Sequence, residues 1–293
     1  MKYLTNLDNI LVEIKDSFLD GEKITNLNSI TSNGKREINS RIYIKIHTNK
    51  RNLFIKYAQN EKLNIFRKEY DALKKVDSDY FSIPQPLGLI SKGIIMSEIK
   101  GIPLENRIKT HGLTDSIGLL EDVIIHIARF HKSNVSKSKI ETSVLYKEVT
   151  GNEDFAQIQT LRSKITVGFT HGDLDPFNTF FDKNTSKFGL IDWEDFREYG
   201  IQGLDILHFI IMLAVIANPK LSYRKLYEAI FRKDKGNVYI RLLDLYCIEM
   251  VIHQSVILEL LPVYCDAQNH RLKKNLRNTN GFLYHEFKRI YYE

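Results

Sequence analysis

The chain has 293 residues, 43% of them hydrophobic and 27% charged, which predicts a globular protein with one large domain or two lobes. Its two cysteines, Cys247 and Cys265, lie in no CxxC or His/Cys ligand spacing. Neither a zinc site nor a disulfide framework is therefore indicated, and a reducing cytoplasm is expected. The longest apolar run, residues 206–217, is shorter than the ~20 residues that span a bilayer, so no membrane span is expected. The formal charge of +6 suits an anionic ligand such as a nucleotide, a nucleic acid or a lipid surface, and suits solubility alone equally well.

The first hundred residues have the pattern of a small sheet with helices. Apolar residues at helical spacing predict a first helix that contains Leu7, Ile10, Leu11, Ile14 and Phe18. Short, Ile-rich segments between polar turns predict an antiparallel meander over 24–30, 40–46 and 52–58 and a hairpin over 88–90 and 93–99. The segment 61–76 has its apolar residues three and four apart and predicts an amphipathic helix against that sheet.

Helical patterns dominate the rest of the chain. A long helix is predicted over 115–133 with Asp115 as its N-cap, and most of the sequence after residue 200 has helical periodicity. Short apolar segments on either side of a polar turn, residues 182–187, interrupt this pattern. We therefore predict an α+β fold with an N-terminal lobe, residues 1–98, of antiparallel sheet plus helix, and a mainly helical C-terminal lobe, residues 99–293.

Three polar side chains stand out in the segment that precedes these last helices. Asp173 follows His-Gly in HGDLDPFN, Asn178 comes five positions later, and Asp192 ends the apolar run FGLID. One carboxylate that takes a proton, with an amide oxygen and a second carboxylate that hold a hard cation, suits phosphoryl transfer from a magnesium nucleotide. A turn-forming Asn178 and a strand-capping Asp192 are the alternatives.

The same segment carries a family resemblance. HGDLDPFN matches the kinase catalytic-loop pattern H-R-D-x-x-x-x-N at its His, Asp and Asn, and LIDWE stands where protein kinases have Asp-Phe-Gly. With HGD and IDW, the chain resembles the aminoglycoside phosphotransferase and choline kinase superfamily, and IARFHKS and IMSEIKG extend the resemblance over nearly the whole chain. It implies a two-lobed protein-kinase-like fold with a magnesium nucleotide between the lobes. It also implies that Asp173 is the catalytic carboxylate and that Asn178 and Asp192 bind Mg²⁺.

The resemblance also requires a lysine that grips phosphate. Lys56 lies among apolar neighbours on the third predicted strand, where an ammonium group needs anionic partners. Glu69 of the following helix and the α and β phosphates of ATP, or of another nucleoside triphosphate, are the implied partners. The alternative is an edge-strand lysine that extends to water, with Glu69 facing solvent.

The remaining nucleotide contacts are assigned by resemblance alone. The Ser97 carbonyl and the Ile99 N–H would bind the base. The loop between the first two strands, with Ser32 and Ser40, would cover the phosphates. That loop contains only Gly34 where protein kinases have G-x-G-x-x-G, and a hairpin turn without a ligand role is the alternative.

Neighbouring polar residues are given structural or undecided roles. His171 is expected to orient the backbone, and Asp205 to cap the next helix or tie down the loop. Glu194 and Asp195 are either groups that support the metal ligands or simple surface acids. Asp175 stands where a protein kinase has lysine.

Together these features predict an ATP- and Mg²⁺-dependent phosphotransferase with an alcohol group as acceptor. Residues 191–205 leave no room for a long activation segment, so a small acceptor is favoured over a protein. Residues 234–293 carry eight Lys or Arg against seven Asp or Glu, which favours a sugar or a sugar-containing metabolite over a polycation. A choline, ethanolamine or aminoglycoside kinase and a catalytically silent pseudokinase stay open as alternatives. No nucleic acid and no obligate protein partner are expected.

Overall fold

The computed structural model describes residues 2–32, 41–58, 63–137, 142–153, 165–232, 234, 236–274 and 281–293. The chain forms two compact units. The first comprises Met1–Lys100 with Gly189–Glu194, and the second comprises Gly101–Phe188 with Asp195–Glu293. The sequence analysis placed the boundary between its two lobes after residue 98, and this boundary stays a prediction. The segment Gly189–Glu194 belongs to the first unit, although the sequence assigned it to the second lobe.

The first unit contains a five-stranded antiparallel sheet with the order β1-β2-β3-β5-β4. Its strands are β1 (Ile24–Ser32), β2 (Arg41–Thr48), β3 (Asn52–Ala58), β4 (Pro86–Ile90) and β5 (Gly93–Ser97), and its helices are α1 (Lys2–Phe18) and α2 (Leu63–Lys75). The predicted meander, hairpin and two helices are confirmed, with ends that differ by a few residues.

Side-chain alternation on β3 places a charged group on one face of this sheet. Ile55 of β3 and Ile44 of β2 are fully buried in a core that includes Ile10 and Ile14 of α1. Successive residues of a strand point to opposite faces. Lys56 therefore points away from the core formed with α1, toward the other face of the sheet.

The second unit is mainly helical. Its helices are α3 (Leu104–His111), α4 (Ile117–Ser133), α5 (Thr142–Thr150), α6 (Gln202–Ala217), α7 (Tyr223–Phe231), α8 (Val238–Met250), α9 (Gln254–Glu259), α10 (Leu261–Lys274) and α11 (Gly281–Tyr292). The remaining strands are β6 (Ile102–Pro103), β7 (Val167–Thr170), β8 (Thr179–Asp182), β9 (Lys187–Leu190) and β10 (Arg197–Ile201). They form a three-stranded sheet, β6-β8-β9, and a β10-β7 pair.

The predicted start of α4 is wrong. Asp115 lies inside a 3-10 turn, Thr114–Ser116, and the N-cap of α4 is Ser116, whose side chain makes no capping hydrogen bond. Ser116 itself has helical backbone angles, because the 3-10 turn leads directly into the α-helix. The 3-10 turn therefore precedes the first N–H groups of α4 directly. Asp115 lies inside this turn and not at the end of the helix, so it does not act as the N-cap.

Helix α6 carries the apolar run 206–217 and is buried on most of its sides. Its buried polar residues include Asp205 at 3% exposure and His208 at 4%. They are three positions apart and therefore lie on the same side of the helix. In the part of the chain that the structure describes, no helix combines the length and the apolar character needed to cross a membrane.

Candidate functional site

The first unit holds a buried cation between two carboxylates. The Nζ atom of Lys56 lies 2.6 Å from Oε1 of Glu69 and 2.7 Å from Oδ1 of Asp192. Lys56 is 3% exposed and Glu69 is fully buried, whereas the Asp192 side chain is 27% exposed. Sequence reasoning predicted all three residues, and the structure brings them together. The snorkelling alternative for Lys56 is wrong.

The charges of this group are mutually dependent. Burial alone would lower the pKa of Lys56, but the charges of Asp192 and Glu69 overcome it and raise that pKa, so the ammonium stays protonated. Burial raises the pKa of Glu69, and the charge of Lys56 opposes this rise. The ammonium therefore sits in a dry environment, where its attraction for a further anion is weakly screened.

The backbone around Asp192 is held in an uncommon conformation. Asp192 has a φ of 67°, in the left-handed region that few residues other than glycine adopt. The next residue, Trp193, is fully buried, and its Nε1–H donates to the Leu190 carbonyl at 3.1 Å. The Trp193 backbone N–H donates to Oε1 of Glu69 at 3.3 Å. Such strain persists where surrounding contacts enforce it, and it concentrates at functional sites.

Glu194 is an ion-pair partner rather than a simple surface acid. Its Oε2 lies 2.8 Å from Nη2 of Arg41, and both side chains are mostly buried. Arg41 begins β2, directly after the loop predicted to cover phosphates. Ser40 and the side chain of Ser32 lie outside the described residues, so their assigned contacts stay predictions.

The residues assigned to the nucleotide base lie at the end of β5 and just beyond it. Ser97 is the last residue of that strand, and its N–H donates to the Gln85 carbonyl at 2.9 Å. Its Oγ accepts from the Gln85 N–H at 2.8 Å. Ile99 follows the strand in the same unit. Base binding by the Ser97 carbonyl and the Ile99 N–H stays a prediction.

In the second unit, local hydrogen bonds shape the loop that contains Asp173 and Asn178. Oδ1 of Asp175 accepts from the N–H groups of Phe177 and Asn178, at 2.8 and 2.9 Å. The Asn178 side chain donates from Nδ2 to the Asp173 carbonyl at 2.9 Å. Asp175 thus stabilises the turn, and Asn178 closes it. This turn-forming role for Asn178 leaves its amide oxygen available as an acceptor.

Asp205 fixes the start of the same loop. Its two carboxylate oxygens accept from the backbone N–H groups of His171 and Gly172, at 2.7 and 3.0 Å. His131 lies 3.3 Å from the same carboxylate. Burial alone would raise the pKa of Asp205, but the hydrogen bond and charge of His131 lower it, so the carboxylate is ionised. Of the two roles expected for Asp205, it performs the second and ties down the loop.

The carboxylate of Asp173 contacts two residues that sequence reasoning did not single out. Oδ1 lies 3.1 Å from Nε2 of His208 and 2.6 Å from Nη1 of Arg271, and Oδ2 lies 2.5 Å from Nη2 of Arg271. Arg271 also contacts Asp195, with Nε 2.8 Å from Oδ2. His208 lies 2.8 Å from the Tyr264 hydroxyl through its other ring nitrogen. Since a carboxylate only accepts, Nε2 of His208 is the protonated ring nitrogen.

These contacts keep Asp173 ionised. Burial alone would raise the pKa of Asp173, but the hydrogen bond from His208 and the charge of Arg271 hold it well below its usual range. The carboxylate thus remains a hydrogen-bond acceptor, able to orient a hydroxyl group. Among the described residues, Oδ1 contacts both His208 and Arg271, whereas Oδ2 contacts Arg271.

The two residues predicted to bind Mg²⁺ have the right donor atoms. Mg²⁺ prefers oxygen ligands such as carboxylates. Asn178 can offer its Oδ1, because its Nδ2 is committed to the Asp173 carbonyl. Asp192 contacts Lys56 through Oδ1 of its carboxylate. The donor chemistry of each of these residues, taken singly, fits Mg²⁺.

The architecture is that of a protein-kinase-like fold. A five-stranded antiparallel unit with a buried Lys–Glu pair comes first, and a mainly helical unit with an H-G-D loop follows.

No protein-family model and no curated protein matches the sequence. Solved structures do match it. One is a thermostable mutant of the aminoglycoside phosphotransferase APH(4)-Ia in ternary complex with ADP and hygromycin B. Its sequence identity to this chain is 11%, the match covers 96% of this chain and 97% of that chain, and the TM-score is 0.59.

Two further matches have the same architecture. The ethanolamine kinase of Plasmodium vivax has 12% identity over 90% of this chain and 80% of that chain, with a TM-score of 0.55. The aminoglycoside phosphotransferase APH(3'')-Id of Streptomyces rimosus, in complex with ADP and streptomycin, has 14% identity over 88% of this chain and 98% of that chain, with a TM-score of 0.50. At these identities the likeness establishes the fold. The predicted α+β kinase-like fold is confirmed.

Proposed function

We propose that the chain is an ATP- and Mg²⁺-dependent phosphotransferase that moves the γ-phosphoryl group to a hydroxyl of a small molecule. The observation that carries this proposal is the buried ammonium of Lys56, held between Glu69 and Asp192. A dry, charged group of this kind suits the recognition of phosphate oxygens. The fold shared with proteins named aminoglycoside phosphotransferase and ethanolamine kinase supports a small acceptor.

Each unit contributes its own residues to this reaction. In the first unit, Lys56 grips the nucleotide phosphates, and the Ser97 carbonyl and Ile99 N–H bind the base. Mg²⁺, held by Asn178 and Asp192, would neutralise charge on the phosphates. In the second unit, Asp173 accepts a hydrogen bond from the acceptor hydroxyl and takes its proton. The new O–P bond forms as the bond from the γ-phosphorus to ADP breaks, so positioning and charge neutralisation supply most of the catalysis.

The acceptor that we propose is neutral or anionic, such as a sugar or a sugar-containing metabolite. Polycationic acceptors need several unpaired carboxylates, because each ammonium group must be paired when it leaves water. The balance of charge over residues 234–293 supplies no acidic excess. A cytoplasmic location is also proposed, and the buried free thiols of Cys247 and Cys265 support it.

A catalytically silent nucleotide-binding module is the second candidate. The observation that favours it is the bidentate pair of Arg271 with Asp173. An arginine in this position competes with an acceptor hydroxyl for the same carboxylate. Turnover in the presence of an acceptor separates the two candidates.

The test is a coupled ADP-release assay over neutral sugars, sugar acids, amino alcohols and aminoglycosides. With the acceptor that works, Asp173→Asn is expected to lower turnover by about 10²- to 10⁴-fold, the range for a positioned general base. Calorimetric affinity for ATP should stay near the wild-type value, because Asp173 is assigned to the acceptor.

The matched control is Asp266→Asn on α10, whose carboxylate pairs with Lys288 at 2.7 Å. It should retain wild-type turnover. Wild-type turnover in Asp173→Asn would place the catalytic carboxylate elsewhere. ATP binding without turnover on any acceptor would favour the silent module.

A further inference from the structure

Helix α6 holds the loop that carries Asp173 at two points. At the start of the helix, the Asp205 carboxylate accepts from the backbone N–H groups of His171 and Gly172, at 2.7 and 3.0 Å. About one turn further on, Nε2 of His208 lies 3.1 Å from Oδ1 of Asp173. The two side chains lie on the same side of α6. The helix therefore fixes the loop backbone through Asp205 and the side chain of Asp173 through His208.

Tyr264 holds the ring of His208 at its other nitrogen. The Tyr264 hydroxyl, on α10, lies 2.8 Å from Nδ1 of His208. Since Nε2 carries the proton that it donates to Asp173, the neutral ring accepts at Nδ1 from the Tyr264 O–H. Tyr264 is fully buried, and its hydroxyl is also hydrogen-bonded to Tyr284 of α11. The imidazole is thus held at both nitrogens in the packed interior of the second unit.

Arg271 would hold Asp173 less rigidly by itself. Its guanidinium contacts both oxygens of Asp173 and is shared with Asp195. Its side chain is 20% exposed, whereas that of His208 is 6% exposed. A long arginine side chain also keeps more rotational freedom than an imidazole ring. Arg271 therefore supplies charge compensation, and the hydrogen bond from His208 fixes the position of Oδ1.

We propose that His208 is a positioning residue for phosphoryl transfer: its Nε2–H orients the Asp173 carboxylate toward the acceptor hydroxyl, and the Tyr264 hydroxyl holds the imidazole in place. This inference rests on the proposed phosphotransferase function. Proton transfer stays with Asp173, and neither His208 nor Tyr264 is assigned a contact with substrate. A catalytic group needs its productive geometry for the full rate, so these two residues should affect kcat much more than KM.

Two substitutions at His208 separate positioning from packing. The amide nitrogen of glutamine corresponds in position to the histidine Nε2, so His208→Gln keeps a donor for Asp173. The amide of asparagine corresponds to Nδ1, so His208→Asn keeps a polar group near Tyr264 and loses the contact with Asp173. His208→Asn should lower kcat by about 10- to 100-fold, with little change in the KM for ATP or for the acceptor. His208→Gln should be at least about tenfold faster than His208→Asn.

Tyr264→Phe removes the hydroxyl and keeps the aromatic ring. It should lower kcat by a smaller factor than His208→Asn, because the hydrogen bond to Asp173 remains and only its geometry loosens. The matched control is Tyr239→Phe, which removes another buried hydroxyl of the second unit, one that accepts from Nδ2 of Asn218 at 2.8 Å. Tyr239→Phe should keep wild-type kcat.

Thermal melts of all four variants report whether each is folded. Equal kcat values for His208→Gln and His208→Asn would overturn the proposal, because the donor to Asp173 would then be irrelevant. The same fall in kcat for Tyr264→Phe and Tyr239→Phe would also overturn it, because the loss would then follow from reduced stability alone.

The proton position on His208 can be measured without any turnover. In long-range ¹H–¹⁵N NMR spectra, the ring signals of His208 are those that His208→Gln lacks. If no acceptor is turned over, these signals decide the matter. A proton on Nε2 whose signal broadens in Tyr264→Phe, and stays sharp in Tyr239→Phe, would support the held imidazole while the phosphotransferase function fails. A neutral ring with its proton on Nδ1, or a signal that Tyr264→Phe leaves unchanged, would overturn the inference.

Discussion

Lys56 shows how one residue links stability to ligand binding. A buried ammonium is costly by itself, and the pairs with Glu69 and Asp192 offset that cost. Removing one partner of a buried ion pair typically costs about 3–5 kcal/mol, because the other charge stays buried and unpaired. Glu69 has a second oxygen, Oε2, with no hydrogen-bond partner among the described residues, so it depends on Lys56 for compensation.

Lys56→Ala is therefore expected to lose both nucleotide affinity and stability. The proposed contact between Lys56 and the phosphates would act in the ground state and in the transition state, so ATP affinity and kcat/KM should fall together. The free energy of unfolding should fall by about 2–4 kcal/mol, at the low end of the buried-pair range because Glu69 can take up a proton. Calorimetry with ATP and urea unfolding measure the two effects.

The control for Lys56→Ala is Arg51→Met, which removes a cation of the same unit that pairs with Glu22 at 3.0 Å. Its side chain is 41% exposed, and exposed pairs contribute about 0–1 kcal/mol. Arg51→Met should keep ATP affinity. Wild-type ATP affinity in Lys56→Ala would remove Lys56 from the nucleotide site.

The sequence predicted some site residues and not others, for physical reasons. Lys56 is conspicuous because a charge among Ile and Phe on a strand needs a partner, and the family pattern locates Glu69 and Asp192. His208 lies in an apolar run of α6 and has the pattern of a core residue. Arg271 is separated from Asp173 by 98 positions in the sequence, so no local sequence pattern predicts that pair. Only tertiary packing brings these two side chains to the carboxylate.

At the scale of the element, the loop that carries Asp173 depends on a glycine. Gly172 has a φ of 84°, and its N–H donates to Asp205. A Cβ atom at this position would lie 2.2 Å from the backbone oxygen of Asp195, which cannot move as a flexible side chain does. The loop and the Asp195 backbone therefore pack too closely for any other residue.

Gly172→Ala is expected to displace Asp173 and lower turnover by at least about tenfold, since misplacement by about 1 Å costs up to 10²-fold. Gly112→Ala is a matched control, because Gly112 has a φ of 78° and nothing within 4 Å of the added Cβ. Both variants should lose about 1–2 kcal/mol of unfolding free energy through the left-handed backbone. Gly172→Ala should lose more, through the collision.

Urea unfolding and the ADP-release assay separate the two effects. Reduced stability with unchanged turnover is the result expected for Gly112→Ala. The same result for Gly172→Ala would mean that the loop tolerates the shift and that its tight packing does not position Asp173.

Element boundaries were predicted where periodicity is strong. Short, Ile-rich segments between polar turns predicted β2 and β3, and helical spacing predicted α2 and α4. The strands β7 and β10 were not predicted. Each has only four or five residues, and they pair with each other across a long sequence separation. The start of α4 was missed because a 3-10 turn replaces the side-chain cap.

At the scale of the whole molecule, the sequence patterns assigned residues 1–98 to one lobe and residues 99–293 to the other, and one later segment was assigned to the wrong unit. Residues 1–100 and the later segment Gly189–Glu194 form one unit. Hydrophobic patterns report which residues are buried, and they do not report which unit buries them. The family pattern predicted Asp192 as a metal ligand, and the structure adds that Asp192 contacts Lys56 of the first unit.

Nucleotide binding is expected to stabilise the folded chain against heat. A ligand that binds only the folded chain stabilises it by RT ln(1 + [L]/Kd), about 2.7 kcal/mol when its concentration is 100-fold above Kd. Mg²⁺ with ATP at that excess should raise the melting temperature by about 5–10 °C, at roughly 2–4 °C per kcal/mol. ATP without Mg²⁺ should give a smaller rise. Differential scanning fluorimetry measures both shifts, and it requires no acceptor and no turnover.

Three variants distinguish the roles assigned to Asp173, Lys56 and Asp192 in this measurement. Asp173→Asn should keep the full Mg²⁺–ATP shift, because Asp173 is assigned to the acceptor hydroxyl. Lys56→Ala should lose most of the shift, because it removes the ammonium that we assign to the phosphates. In Asp192→Asn, ATP should raise the melting temperature by the same amount with and without Mg²⁺. The substitution removes a carboxylate that we assign to the metal and keeps the side-chain volume. Equal Mg²⁺-dependent shifts in wild type and in Asp192→Asn would contradict the assignment of Asp192 as a metal ligand and leave the role of Lys56 intact.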